Sequence, residues 1–186
     1  MNEVLKAIKE RRTTRKFKPE QIKEEELQAI IEAGLYAPSG TNQQPWNFTV
    51  IQNKDLIDEM DFEAKEVFKQ SDNEFLRKVG FNEKYKVTYD APTIILVSGL
   101  NNNHYTEVDC AAATQNMLLG AHSLGIASCW CGATSATFNG GKKEEFIYKL
   151  NIPEAYTPLY TVLLGYSDNT PSKGPKRKEN TVQYVR

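Results

Sequence analysis

A continuous apolar run, Thr93–Val97, limits more than any other feature how this chain can fold. Successive side chains of a β-strand point to opposite faces of its sheet, so a strand that is apolar at nearly every position must be covered on both sides. Pro92 stands immediately before the run. The chain therefore needs a packing layer on each face of a central strand.

Helical periodicity identifies candidates for these layers. The segment Val108–Leu124 is apolar or small nearly all round and ends at Gly125, which predicts a fully buried helix with a glycine cap. The charged region from Asp55 to about Val87 carries no clear sheet signal. We predict an α+β fold, a mixed β-sheet flanked by helices. The first helical segment runs from about residue 4 to Arg11, and the second begins after Pro19 and is closed by Pro38. The other helical segments are 108–124 and 142–150, and the further strands are 48–51, 126–131 and 159–164.

The length of 186 residues allows one well-packed core and is too short for two, so we predict a single domain over 1–186. After Gly165 the composition becomes polar, until Thr181–Val185 regains strand character. A tail of this kind has little core of its own and is expected to pair with a sheet elsewhere. We predict that residues from about 166 to 186 form an extension that wraps a partner subunit.

The charge balance excludes several classes of function. Lys and Arg total 23 against 24 for Asp and Glu, which gives no general attraction to nucleic acid or to an anionic membrane. The stretch Met1–Lys6 carries acid and base where a secretory signal would be apolar, and no segment approaches membrane-spanning length. We expect a cytoplasmic protein. Three cysteines and two histidines match no disulfide framework or zinc site, so no protein-bound metal is expected.

Two polar motifs are candidates for ligand binding. The loop Ala37–Trp46 contains small and amide side chains that suit a flat ligand with polar edges, although such a loop can also be a connector whose amides satisfy its own backbone. The run Lys9–Phe17 is basic, and its alternating residues would share one side of an extended segment. A solvated basic loop is the alternative for this run.

Together the two motifs resemble the paired signatures of the FMN-dependent nitroreductase family, an Arg-Arg-Ser/Thr-x-Arg run and an Ala-Pro-Ser-x-x-Asn-x-Gln-Pro-Trp loop. Residues Gly125–Ala133 also resemble the family's Gly-Leu-Gly-x-x-Trp-x-Gly-Ala segment. The resemblance covers almost the whole chain. It implies the nitroreductase fold and an intertwined homodimer with FMN at the subunit interface.

The resemblance also implies which residues hold FMN. Arg11 and Thr13 belong near the phosphate and the ribityl chain, Arg12 close to the phosphate, and Arg15 near the pyrimidine edge. The backbone amides of the later strand and loop would face flavin N5 and O4. The implied contacts outside the basic run are Gly132, Ala133, Asn82 at the pyrimidine edge, and Pro38, Ser39, Gly40 and Asn42, which would reach FMN from the other subunit.

A second basic segment, Lys173–Lys178, stands where the family places a basic pair that contacts the phosphate. Either Lys176 with Lys178 or Lys176 with Arg177 fills the two positions. A disordered basic tail is the alternative.

The function implied by the resemblance is that of an FMN oxidoreductase. It would take hydride from NADH or NADPH and reduce a small aromatic nitro or quinone-type acceptor in ping-pong fashion. Because the cofactor carries out the redox step, the site should consist of groups that hold it, and no catalytic side chain is predicted. The alternatives are a same-fold dehalogenase or flavin-fragmenting enzyme, a non-catalytic flavin-binding protein and, least favoured, a nucleic-acid-binding module.

Overall fold

The computed structural model describes residues 2–169 and 174–186. Within them, six α-helices pack around a four-stranded sheet with the strand order β1-β2-β4-β3, and no helix there is long and apolar enough to cross a membrane. The strands are β1 (Trp46–Ile51), β2 (Thr93–Leu100), β3 (Ala127–Cys131) and β4 (Tyr156–Gly165). The helices are α1 (Glu3–Glu10), α2 (Glu24–Leu35), α3 (Lys54–Lys69), α4 (Glu74–Phe81), α5 (Thr106–Ser123) and α6 (Lys143–Lys149). Short 3-10 turns cover Gly40–Asn42 and Ala133–Phe138.

The predicted α+β fold with a helix-flanked sheet is confirmed, but the strands do not pair in a mixed way. All three pairings are antiparallel, and parallel pairing among the described residues is limited to one isolated bridge between Thr13 and Ser128. The strands β2 and β3 do run in the same direction, as expected of strands joined by a long helical connection. However, β4 lies between them and is antiparallel to both.

The apolar run forms the middle of β2, and both faces of this strand are covered. Ile94 and Leu96 belong to a core formed with α3, α4, α6 and the turn after β3. Ile95 and Val97 belong to a second core formed with α2 and α5. All four side chains are 0% exposed, which confirms the expectation from the sequence.

The region without a sheet signal, 55–87, forms most of α3 and all of α4. Asn53 and Asn73 cap these helices, and each side-chain oxygen accepts a first-turn N–H, at 3.0 and 2.9 Å respectively. The two helices pack backbone against backbone at Gly80. A Cβ added there would lie 2.7 Å from the backbone nitrogen of Lys69, so the close approach depends on glycine.

Helix α1 and the C-terminal segment expose apolar side chains. Helix α1 has no buried residue, although Val4, Leu5 and Ile8 form an apolar stripe along it. The segment Thr181–Val185 was predicted to regain strand structure, but it forms no strand and is exposed. A strand needs a hydrogen-bonding partner, and none of the strands described in this chain pairs with the segment.

Candidate functional site

The basic run after α1 lies along the outer edge of β3. Thr13 forms its bridge with Ser128, and the N–H of Thr14 donates to the Ser128 carbonyl at 3.0 Å. Helix α1 ends at Glu10, and at Arg11, its C-cap, φ −53° and ψ 134° turn the backbone into an extended conformation. The predicted alternation is present only at residues 13–15, where Thr14 is buried and Thr13 and Arg15 are exposed. Arg11 and Arg12, predicted to point to opposite sides, are both half-buried and line the same cleft.

A cleft of about 210 Å³ opens beside this edge. It is lined by the two arginines that follow α1, by residues around the start of β3, and by residues that follow β4. Three polar atoms of these lining residues are buried and have no hydrogen-bond partner in the described part of the chain: Arg11 Nη1, Arg12 Nε and Ser128 Oγ. Buried polar groups normally have partners. This set therefore suits a ligand with several acceptor oxygens, such as a phosphate.

The electrostatics of the cleft also favour an anion. The pKa of Arg11 is lowered, first by burial of its guanidinium and second by the positive charge of Arg12. Arg12 donates through Nη1 to the carbonyls of Lys9 and Arg11, both at 2.7 Å, which fixes its guanidinium in place. Two cations held this close repel each other, so a bound anion would offset the repulsion.

The segment after β4 returns to the same cleft. Ser167 Oγ donates to the carbonyl of Lys16 at 2.7 Å. Further along, Gly174 lies so close to the Arg12 guanidinium that a Cβ on this glycine would be 2.6 Å from Cζ. The two ends of the chain therefore meet at the cleft.

The predicted basic pair points into solvent within this chain. Lys176 and Arg177 are exposed, and so is the alternative, Lys178. Lys173, at the start of the predicted basic segment, lies outside the described residues. The structure thus brings Gly174 to the cleft but not the cationic side chains that follow it.

Arg15 and the end of β3 extend the site beyond the cleft. The Arg15 guanidinium lies 5.9 Å from the ring centroid of Tyr89, whose hydroxyl is 3.1 Å from the hydroxyl of Tyr85. Gly132 and Ala133 follow β3 directly and are exposed. A Cβ added at Gly132 would meet no heavy atom within 4 Å, so the backbone here is open to a ligand.

The cysteines are buried thiols with raised pKa values. Burial raises the pKa of Cys129 to about 11 and that of Cys110 to about 12. Burial also raises the pKa of Cys131, although the backbone amides of Thr134 and Ala133 oppose the rise. Among residues 2–169 and 174–186, no group of three or more His, Cys, Asp or Glu side chains could hold a metal ion.

The polar loop, residues 37–46, precedes β1 and is held by the start of α5. The N–H of Gly40 donates to both carboxylate oxygens of Asp109, at 3.2 and 3.0 Å. The ring of Tyr105 packs on the same glycine, where a Cβ would lie 2.6 Å from Cδ2. Three non-glycine residues of the loop have left-handed backbone, with φ of 50°, 56° and 47° at Thr41, Asn42 and Gln44. Such backbone persists only where its surroundings fix it, often at functional sites.

The loop and the β3 edge are apart in a single chain. Strands β1 and β3 are the opposite edges of the sheet, three strand spacings or about 14 Å from each other. We call residues 37–46 the loop half-site, and we call Arg11–Arg15, Ser128 and Gly132 the β3 half-site. The predicted site residues therefore form two separate groups within one chain.

Several predicted contact residues also make hydrogen bonds within their own segments. Ser39 Oγ accepts the Gln44 N–H at 3.0 Å, and Asn42 Oδ1 accepts from Gln44 Nε2 at 3.1 Å. Pro38 is exposed. Asn82 follows α4, and its Oδ1 accepts the Lys84 N–H at 3.1 Å. These bonds define the local turns and leave each side chain at the surface or partly exposed.

Two residues that form or support the half-sites were not predicted from the sequence. Ser128 lies inside the segment that carries the family resemblance, but its importance depends on Arg11 and Arg12, which are distant in sequence and line the same cleft. Asp109 is an acid at a buried position of α5. In the sequence, an acid stands at this position among residues that are mostly apolar or small. Because a buried charge needs a partner, this acid is the signal that could have identified Asp109.

Known proteins resemble the chain over its full length. Residues 8–166 match the model of the Nitroreductase family. A nitroreductase of Bacteroides fragilis NCTC 9343, solved with bound FMN, is 37% identical, with a TM-score of 0.93 and 100% of both chains covered. An FMN-bound nitroreductase of Desulfitobacterium hafniense DCB-2 is 36% identical, with a TM-score of 0.91 and the same coverage. A Bacillus subtilis protein named as an NAD(P)H FMN reductase is 26% identical, over 99% of this chain and 74% of its own.

Proposed function

Since the chain belongs to the nitroreductase family, we infer that it is an FMN-dependent NAD(P)H oxidoreductase and propose that small aromatic nitro compounds and quinones are its electron acceptors. The observation that carries this proposal is the cleft beside β3, where Arg11, Arg12 and Ser128 each have a buried polar atom without a partner in the described residues. A phosphate with nearly two negative charges matches this set of donors. The residues present therefore fit the phosphate of FMN.

The protein's own groups would bind and orient the cofactor. Arg11, Arg12 and Ser128 would hold the phosphate, and Thr13 would contact the ribityl chain. Arg15 would place a fixed positive charge near the pyrimidine edge, where negative charge accumulates on reduction. When bound, FMN supplies the hydride and electron transfer, for which the protein contributes binding, orientation and electrostatics.

The end of β3 would face the reactive edge of the ring. We propose that the backbone amides of Gly132 and Ala133 lie beside N5 and O4, because this backbone is exposed and no neighbouring atom blocks the approach to Gly132. Asn82 is proposed to contact the pyrimidine edge. Electron donor and acceptor would use the same open face in turn, which corresponds to ping-pong kinetics.

We propose a homodimer in which each FMN site combines half-sites from two subunits. The loop half-site would bring Pro38, Ser39, Gly40 and Asn42 to the β3 half-site of the partner, which the opposite sheet edges prevent within one chain. The partner would also cover the apolar stripe of α1 and the tail 166–186. Lys176 and Arg177 would reach the phosphate, since Gly174 already lies against Arg12.

We propose that the enzyme acts in the cytoplasm. The three cysteines are free thiols, which fits a reducing compartment. NAD(P)H is available there as the electron donor. Export of a reporter fused to the full chain would contradict this location.

Anaerobic reduction of the purified protein tests the proposal. We expect a yellow protein that loses its flavin absorbance with NADH or NADPH and regains it when a nitroaromatic compound or a quinone is added. Parallel lines in initial-rate plots would support ping-pong transfer. A colourless protein without affinity for FMN would refute the assignment. Reoxidation only by a halogenated aromatic compound, with halide release, would favour the dehalogenase alternative.

A further inference from the structure

We propose that Asp109 is a positioning residue for the cofactor. It holds the loop half-site of its own subunit in the conformation that contacts FMN in the partner's β3 half-site. This inference rests on the proposed FMN-dependent function, and it assigns a role to a residue on α5 that lies outside both half-sites.

The contacts of Asp109 are those of a structural anchor for the loop. The residue is 6% exposed, and both carboxylate oxygens accept the Gly40 N–H, at 3.2 and 3.0 Å. Among the described residues it forms no salt bridge with a cation. Its charge lies in the first turn of α5, where the helix dipole favours an anion. The carboxylate is therefore directed to the loop amide.

The loop needs such an anchor because of its own backbone. The left-handed residues Thr41, Asn42 and Gln44 follow Gly40 closely, and isolated chains seldom adopt this succession. Hydrogen bonds within the loop define its turns, and contacts from outside the loop fix it further. Two of these contacts, the Asp109 carboxylate and the Tyr105 ring, come from the start of α5 and meet at Gly40.

The start of α5 is itself fixed to the sheet. Thr106 Oγ1 donates to the carbonyl of Leu100 at 2.7 Å, at the end of β2. The N–H of Leu100 donates to the carbonyl of Pro45, at the end of the loop, at 2.8 Å. The loop is thus joined at its last residues to β2 and at Gly40 to α5. Removal of Asp109 would leave the Gly40 N–H without its acceptor and the Tyr105 ring as the remaining contact named here, so the loop would be held less firmly at Gly40 while its other end stays in place.

Three variants measure the role of the carboxylate. Asp109→Ala removes the acceptor and is expected to raise the dissociation constant for FMN at least tenfold. Asp109→Asn keeps an oxygen that accepts the Gly40 N–H, so its affinity should stay within about threefold of wild type. Glu107→Gln is the matched control, since Glu107 is an exposed acid in the same turn of α5, and its affinity should be unchanged. If Asp109→Ala does not fold, Asp109→Ser replaces it.

Mixed dimers separate positioning from a general effect on folding. One subunit carries Asp109→Ala and the other carries Arg11→Met, with different affinity tags for purification. If Asp109 acts through the loop on the partner's cofactor, the loop of the Arg11→Met subunit and the β3 half-site of the Asp109→Ala subunit form one intact site. The other site then combines both changes. We expect one FMN bound per dimer with wild-type affinity, although each variant homodimer binds weakly.

The outcomes distinguish this inference from the proposed function. If the wild-type protein itself does not bind FMN, the proposed function fails. If the wild type binds FMN and Asp109→Ala binds it equally well, the positioning role alone is refuted. A mixed dimer without a tight site would also refute it, and so would an Asp109→Asn variant as defective as Asp109→Ala.

Discussion

Replacing Arg11 by methionine should change cofactor affinity and the stability of the cofactor-free protein in opposite directions. In the complex, the guanidinium would give the phosphate a charge-assisted hydrogen bond worth about 1.5–3 kcal/mol. The dissociation constant for FMN should therefore rise roughly 10- to 150-fold. In the cofactor-free protein, Nη1 of Arg11 is buried without a partner in the described residues, and burial together with Arg12 lowers the Arg11 pKa.

The stability gain follows from that unpaired donor. A buried donor without a partner costs about 1–3 kcal/mol, and methionine keeps an unbranched apolar stem in its place. Lost contacts of the arginine offset part of the gain, so we expect a net increase of about 1 kcal/mol. For a chain of this length, that raises the melting temperature by about 2–4 °C. Calorimetry of the flavin-free protein and titration of FMN fluorescence measure the two effects.

A nearby cation supplies the control. Lys9 is exposed on α1, and its side chain does not line the cleft. Lys9→Met should leave both the FMN dissociation constant, within about threefold, and the melting temperature unchanged, because surface charges contribute little. A lower melting temperature for flavin-free Arg11→Met, combined with unchanged affinity for FMN, would show that Arg11 is a structural residue and refute the phosphate site.

Three further predictions concern the cores. Gly80→Ala should destabilise the protein by about 1–3 kcal/mol in urea unfolding, because the new Cβ would press on the backbone of α3; unchanged stability would contradict the close packing. Burial raises the pKa of Asp61 above its unfolded value, so its contribution to stability is fully present below the unfolded pKa and is lost as pH rises through the folded pKa. Asp61→Asn, which keeps an acceptor for Thr88, should therefore gain stability relative to wild type as the pH rises above the ordinary aspartate pKa of about 4, and a constant difference would refute this. With a pKa of about 11, roughly one Cys129 thiol in a thousand is ionised at pH 8, so a disulfide reagent should label it only as fast as the protein unfolds; rapid labelling of folded protein would contradict its burial.

The layered architecture was predictable because its signals are local. The apolar run Thr93–Val97 indicates a strand with two covered faces, and the apolar and small residues of 108–124 indicate a helix that packs into the core. The prediction that this helix is fully buried is wrong, because Val108, Gln115 and Leu124 are exposed. The order of the strands was not predictable in this way. It depends on β4 inserting between β2 and β3, a long-range pairing that the pattern of a single segment does not encode. The absence of a strand at 181–185 has the same origin, since a strand depends on its partner.

The site was predictable to the extent that its residues lie in contiguous motifs. Arg11–Arg15 run beside the edge of β3, and Gly132 follows that strand directly. Ser128 and Asp109 could not be predicted in this way, because the residues they lie beside are far away in sequence. A lone serine in a strand and a lone acid in a helix are common, and only the folded chain shows that one faces a pair of arginines and the other a strained loop.

The position of the two half-sites on opposite sheet edges has a consequence for how this protein responds to its own abundance. In the proposed homodimer, a dissociated subunit keeps only part of the contacts to FMN. Release of FMN and dissociation of the subunits are therefore thermodynamically linked. Dilution should then dissociate the holoprotein into free FMN and single chains, and added FMN should drive reassociation. A cell with little riboflavin would accordingly accumulate separated, inactive chains.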